Sequence, residues 1–346
     1  MSIVKKSLPG ILFTVLLAYV SFSLSKLVPY GIIGPGVFAL LIGMMLNPLL
    51  SRCDSLFYGF DLTAKRILRI AIILMGSSLN IFQVLEVGKF SLIVMIFTLV
   101  TAFGGGYLLG KLFKMNWKLS GLISAGTGIC GGSAIAAIAP VIDADESDIA
   151  YAISATFIFD IIMVILFPIM GRYFQMSDLG FGLWAGTAIN DTSSVVAAGY
   201  AYSDVAGSFS VIVKLTRTLS IVPIVLIFSY INERLERKAI KTTDNGCLAT
   251  DYEKKKIDIK KIFPWFILLF LTLVGVNSTG IIPIVMSSFL TKTSKLLMVM
   301  SLGAIGLKTN FNDLAKSGFF PMLHGFIISA LVVIVSFLVQ MMVGQV

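Results

Sequence analysis

The sequence predicts an all-α, polytopic membrane protein that crosses the bilayer about eleven times as transmembrane helices. Three observations predict it. Of 346 residues 57% are apolar and 13% charged, against roughly 45–50% and 25% in soluble domains. Apolar runs of about 20 residues, the helical length of a bilayer core, follow one another almost end to end. The runs are continuous, whereas strands of a membrane barrel would be shorter and would alternate polar with apolar.

Taken in order, Lys5 and Lys6 precede an apolar stretch, Leu8 to Leu24, that is too long for a secretory leader and lacks a clear small-x-small cleavage pattern. It is therefore the first membrane helix. The remaining runs place helices at roughly 31–50, 64–82, 90–112, 119–142, 148–173, 180–201, 205–230, 262–279, 286–307 and 317–343, after a first at 8–26. The segment Asn232 to Lys261 holds nine Lys/Arg, with Asp244-Asn245-Gly246 as a turn, and is the one linker-like stretch. It separates eight helices from three within a single domain, residues 1–346, because three membrane helices alone have little interior to build.

Basic residues mark the cytoplasmic side. With the linker inside, eleven crossings put 21 of the 27 basic residues on the cytoplasmic side and four outside, with the N-terminus inside and the C-terminus outside. The acidic cluster Asp143, Asp145, Glu146 and Asp148 then falls outside. The net charge of +9 is accordingly loop charge of an inner-membrane protein, and no nucleic-acid partner is expected. Three scattered cysteines, Cys53, Cys130 and Cys247, and the single His324 offer neither a disulfide framework nor a metal cluster. No cofactor is implied. An enzyme is not expected, since neither a nucleophile with its base nor a paired-aspartate motif is present.

Two helices carry unusual sequence. The fifth contains GTGICGGSAIAAIAP, with Gly126, Gly128, Gly131 and Gly132 at its centre. Each costs about 1 kcal/mol relative to alanine inside a helix. Close packing through small residues is one reading; an unwound break lining a cavity is the other. The seventh contains GTAINDTSSVVAAG, where Asn190, Asp191, Thr192, Ser193 and Ser194 are consecutive and polar. Consecutive residues point all round a helix, so part of it must face protein or water.

Asp160, Asp191, Lys214 and Arg217 lie near the midplane, where each charge costs about 2.5–3.5 kcal/mol. They must pair, protonate or meet water. Lys214 and Arg217 share one helix face. Either they form ion pairs with Asp160 and Asp191 that fasten helices six to eight, or they hold an anion while an acid titrates or binds a coupling cation. The candidate substrate-binding residues are Thr127, Cys130, Ser133, Asn190, Asp191, Thr192, Ser193, Lys214 and Arg217; Asp191 and Asp160 are the candidates for a coupling H+ or Na+.

The chain carries two internal echoes, the first of which fits an inverted repeat. Gly76, Asn80, Gly88 and Phe90 recur as Gly306, Asn310, Gly318 and Phe320 in antiparallel segments. Ala125-Gly126-Thr127, Ile129, Ser133 and Ala137 recur more strongly as Ala185-Gly186-Thr187, Ile189, Ser193 and Ala197. With both runs crossing, however, helices five and seven are parallel, so this pair is not expected to be the inverted couple.

Through Leu8-Pro9-Gly10, GTGICGGSAIAAIAPVI, GTAINDTSSVVAAG, VKLTRTLSIVPIV and AIGLKTNF, nearly the whole chain resembles the bacterial sulfate exporter family, whose substrates are largely inferred. In many relatives a histidine precedes the acid of helix seven; here that position is Asn190. The family is similar to the sodium/proton antiporters and bile-acid symporters, whose inverted repeats cross two discontinuous helices at the midplane. The resemblance implies a core that moves against a panel in the cell (plasma) membrane, exporting a small anionic solute such as sulfate or a sulfonate by alternating access. A cation/proton antiporter with Asp191 as carrier acid is the alternative, and a homodimer is compatible with either.

Overall fold

The computed structural model describes residues 2–27, 34–50, 54–243, 262–309 and 318–345. The described residues are helical apart from turns and short connections: α1 Ser2–Leu27, α2 Pro35–Leu50, α3 Asp54–Leu62, α4 Leu68–Met75, α5 Ile81–Leu112, α6 Trp117–Ala125, α7 Gly132–Ile138, α8 Glu146–Tyr173, α9 Asp178–Ala188, α10 Thr192–Tyr202, α11 Asp204–Thr218, α12 Ile221–Thr243, α13 Trp265–Ser278, α14 Ile284–Lys308 and α15 Phe319–Met342. Six stretches among them are long and apolar enough to span a bilayer, and α2 and α13 are shorter apolar helices. The chain is thus a polytopic helical membrane protein. Residues 244–261, with the Asp244-Asn245-Gly246 turn, and Asn310, Arg52, Cys53, Cys247 and Lys316 lie outside the described residues. The linker expected from Asn232 begins as helix, since α12 runs on to Thr243.

The helices sort into two groups. In one, α1, α2, α3, α4, α13 and α14 pack together, and in the other α5 to α11 and α15 do so. Burial of apolar area drives little association in lipid, so the first group is held by close backbone approach and polar contacts. A Cβ on Gly306 would collide with the Leu40 carbonyl oxygen, and one on Gly43 would lie 2.5 Å from that of Gly303. Asn47 donates to Leu307 O (2.7 Å) and Ser294 to Ala71 O (2.6 Å).

Two of the eleven expected crossings do not cross. Lys118 Nζ, at the start of α6, donates to the Asp143 carbonyl 2.8 Å away, beyond the end of α7. The residues 119–142 therefore form a re-entrant hairpin, α6 in and α7 back. Likewise Ser203 Oγ donates to Asp178 (2.5 Å), Tyr202 OH to Met176 O (2.5 Å), and the rings of Phe181 and Tyr202 stack at 4.0 Å. The residues 180–201 are thus a second hairpin of α9 and α10.

The hairpins enter from opposite ends, as α15 shows by passing along both. His324 meets Ser120 near the base of the first, Ser329 meets Thr127 at its tip, Ser336 meets Thr187 at the second tip, and Gln340 donates to Gly180 near the second base. The stronger sequence echo is therefore the inverted couple, contrary to the expectation from two crossings. The acidic cluster from Asp143 shares an end with Lys118, not the opposite end, and Arg172 moves across. The weaker echo holds locally: Leu79 N–H closes on Gly76 O and Thr309 N–H on Gly306 O, each ending a helix in an extended residue.

Candidate functional site

Each hairpin turns where the sequence cannot continue a helix. The first unwinds through a π turn, Gly126–Cys130, into Gly131 at φ 66°, ψ −136°, a region reserved for glycine. The second breaks at Ile189, Asn190 and Asp191, after which Asp191 caps α10 by accepting from Ser193 N–H (2.8 Å) and from the Ser193 hydroxyl. The tips touch: a Cβ on Gly131 would lie 3.0 Å from Cβ and Oδ1 of Asp191.

A helix ending at mid-membrane leaves carbonyls without donors, and water cannot supply them in lipid. Lys214 and Arg217, both fully buried on α11, supply them here. Lys214 Nζ donates to Ile129 O (2.9 Å) and Ile189 O (3.0 Å). Arg217 donates through Nε to Gly128 O (2.5 Å), through Nη1 to Thr187 O (2.5 Å) and through Nη2 to Thr127 O. The cations sit at the negative ends of the inward-running half-helices, where the helix dipole favours them.

The ion pairs that one of the two readings placed between these cations and Asp160 or Asp191 are absent among the described residues. Asp160, buried at the middle of α8, instead accepts from the backbone N–H of Asn190 and of Asp191, both at 2.8 Å. It holds the second tip from the side. Asn190 is fully buried, its amide directed at Ser329 Oγ (3.2 Å), its Oδ1 unpartnered.

A cavity of about 1080 Å³ reaches the tips from the end that carries the base of the first hairpin. Its floor includes Cys130, Ser133, Asp160, Asp191, Thr192 and Ser193, and toward its mouth lie Lys65, Arg69 and Lys308 of the other helix group. Ser133 is exposed and Asp191 half-buried, whereas Thr127, Lys214 and Arg217 are enclosed behind the tips and do not line it. The structure thus divides the predicted residues into a cavity floor and a layer of buried supports. Sequence reasoning missed Ser329 and Ser336. Their signal is the polar series His324, Ser329, Ser336 and Gln340, all fully buried in an otherwise apolar helix.

Comparison with known proteins places this chain in a family. The family model described as Conserved hypothetical protein 698 matches residues 9–325. A UPF0324 membrane protein of Clostridium tetani is 73% identical over 346 residues, covering all of both chains. UPF0324 membrane proteins of Streptococcus pneumoniae serotype 4 and Streptococcus agalactiae serotype V are 39% and 37% identical, each covering 98% or more of both chains. With those relatives along its whole length and the family model over most of it, this chain belongs to the conserved bacterial membrane protein family Conserved hypothetical protein 698.

Proposed function

We propose that the protein is a secondary transporter of a small inorganic or organic oxyanion, such as sulfate or a sulfonate, working by alternating access. One observation carries the reading: two hairpins entering from opposite ends meet tip to tip on the floor of a cavity that reaches them from one end. Such a site can be approached from either side without a continuous pore, which is the geometry alternating access needs.

Several features support an anion. Arg69 stands toward the mouth beside Lys65 and Lys308, which share Asp61, and Ser133 and Thr192 offer hydroxyls at the cavity wall. Lys214 and Arg217 lie one layer deeper and add positive potential through a medium of low dielectric. In this reading the solute contacts the hydroxyls, and the two cations act from behind. The basic end faces the cytoplasm of the cell, by the charge asymmetry, which puts the N-terminus inside, the C-terminus outside and this cavity on the inner side. The transported solute leaves unchanged, so no catalytic step is involved.

A second reading rests on Asp191, a half-buried carboxylate on the cavity floor: a cation/proton antiporter with that acid as carrier. Counter-flow of labelled sulfate, sulfite, taurine and simple carboxylates in proteoliposomes, with and without a pH or sodium gradient, separates the two. Exchange of an oxyanion supports the first. Movement of protons or sodium alone, lost in Asp191→Asn, establishes the second in its place.

A further inference from the structure

We infer that Lys214 and Arg217 are positioning residues that staple the two hairpin tips into one body, so that the tips travel together during transport and neither opens alone. The inference rests on the transport reading for its consequence, but its geometric content stands apart from it.

The repeated motif and its partners correspond position by position. Under a shift of 60 residues, Thr127 maps onto Thr187 and Ile129 onto Ile189. The Thr127 and Thr187 carbonyls both accept from Arg217, and the Ile129 and Ile189 carbonyls both accept from Lys214. Each cation thus joins equivalent points of the two hairpins. A second helix does the same on the side-chain level: the Thr127 hydroxyl meets Ser329 and the Thr187 hydroxyl meets Ser336. Ser329 and Ser336 are two turns apart and share a face of α15, as Lys214 and Arg217 share one of α11.

Independent opening of one tip would strip donors from carbonyls held away from water, and would leave a buried cation short of acceptors. Displacement of both hairpins together with α11 and α15 breaks none of these bonds. The group formed by α1 to α4, α13 and α14 contributes no atom to them. Motion is therefore confined to the boundary between the two groups, along which the cavity lies.

Hydrogen exchange read by mass spectrometry on the full-length protein in lipid nanodiscs tests this without a substrate. In the wild type, segments 124–132 and 184–192 should exchange at rates within about threefold of each other and respond in step to mild denaturant, as one cooperative unit does. Arg217→Met should raise exchange at both tips by about tenfold or more, the equivalent of a charge-assisted hydrogen bond. Arg217→Lys, with one donor centre where the guanidinium has a fork, should raise both by less. Lys214→Met should again act on both tips. Loosening of one tip alone, or exchange that stays unchanged while only solute affinity falls, overturns the staple. Should the Met variants not fold, the wild-type comparison and Arg217→Lys decide. Coupled tips in a protein that moves no solute would refute the transport reading and leave the staple intact; independent tips in an active transporter would do the reverse.

Discussion

Gly131 and Gly132 are adjacent, yet substitution by alanine should have opposite effects. Gly131 holds φ 66°, ψ −136°, where an L side chain costs about 1–3 kcal/mol. Its Cβ would also approach Cβ and Oδ1 of Asp191 to 3.0 Å, and forcing an extra methyl into such a contact costs about 1–3 kcal/mol more. Gly131→Ala should therefore destabilise the protein by roughly 2–6 kcal/mol. Gly132 opens α7 in ordinary helical geometry, with nothing within 4 Å of an added Cβ. There alanine is neutral or gains up to about 1 kcal/mol. Denaturant unfolding in detergent can be followed by tryptophan fluorescence, because Trp184 is buried in the second hairpin (2% exposed). Equal stability of the two variants would refute the contact between the tips.

Other outcomes follow from the same contacts. Asp191→Asn should cost less than about 1 kcal/mol, because asparagine caps a helix as well as aspartate; a loss of about 3–5 kcal/mol in the same unfolding assay would indicate a buried ion pair after all. Gly306→Ala should weaken the α2–α14 contact by roughly 2–3 kcal/mol, since the methyl would press on the Leu40 carbonyl, while Gly275→Ala, with nothing within 4 Å, should be mild; similar unfolding midpoints would contradict this. Epitope tags inserted at Asn116 and at Asp145 should report the same compartment, as a hairpin requires, and opposite compartments would restore a crossing helix.

Membrane class, helix positions and the interruption at Gly126–Gly132 were legible in the sequence because each has a local cause. Hydrocarbon selects continuous apolar runs, and four clustered glycines or five consecutive polar residues cannot lie in an unbroken lipid-facing helix. The direction in which the chain leaves such a break has no local signal. Charge asymmetry could not supply it either, because that rule reads only how many crossings separate two loops. Replacing two crossings by two hairpins leaves that count even, so the linker keeps its side while Asp143 and Arg172 exchange ends. The partners of Lys214 and Arg217 were hidden for a related reason. The sequence displays formal charges and invites pairing with Asp160 and Asp191. The half-helix carbonyls that take the cations carry no mark in the sequence, and become a charged surface only when folding ends two helices side by side where water cannot reach.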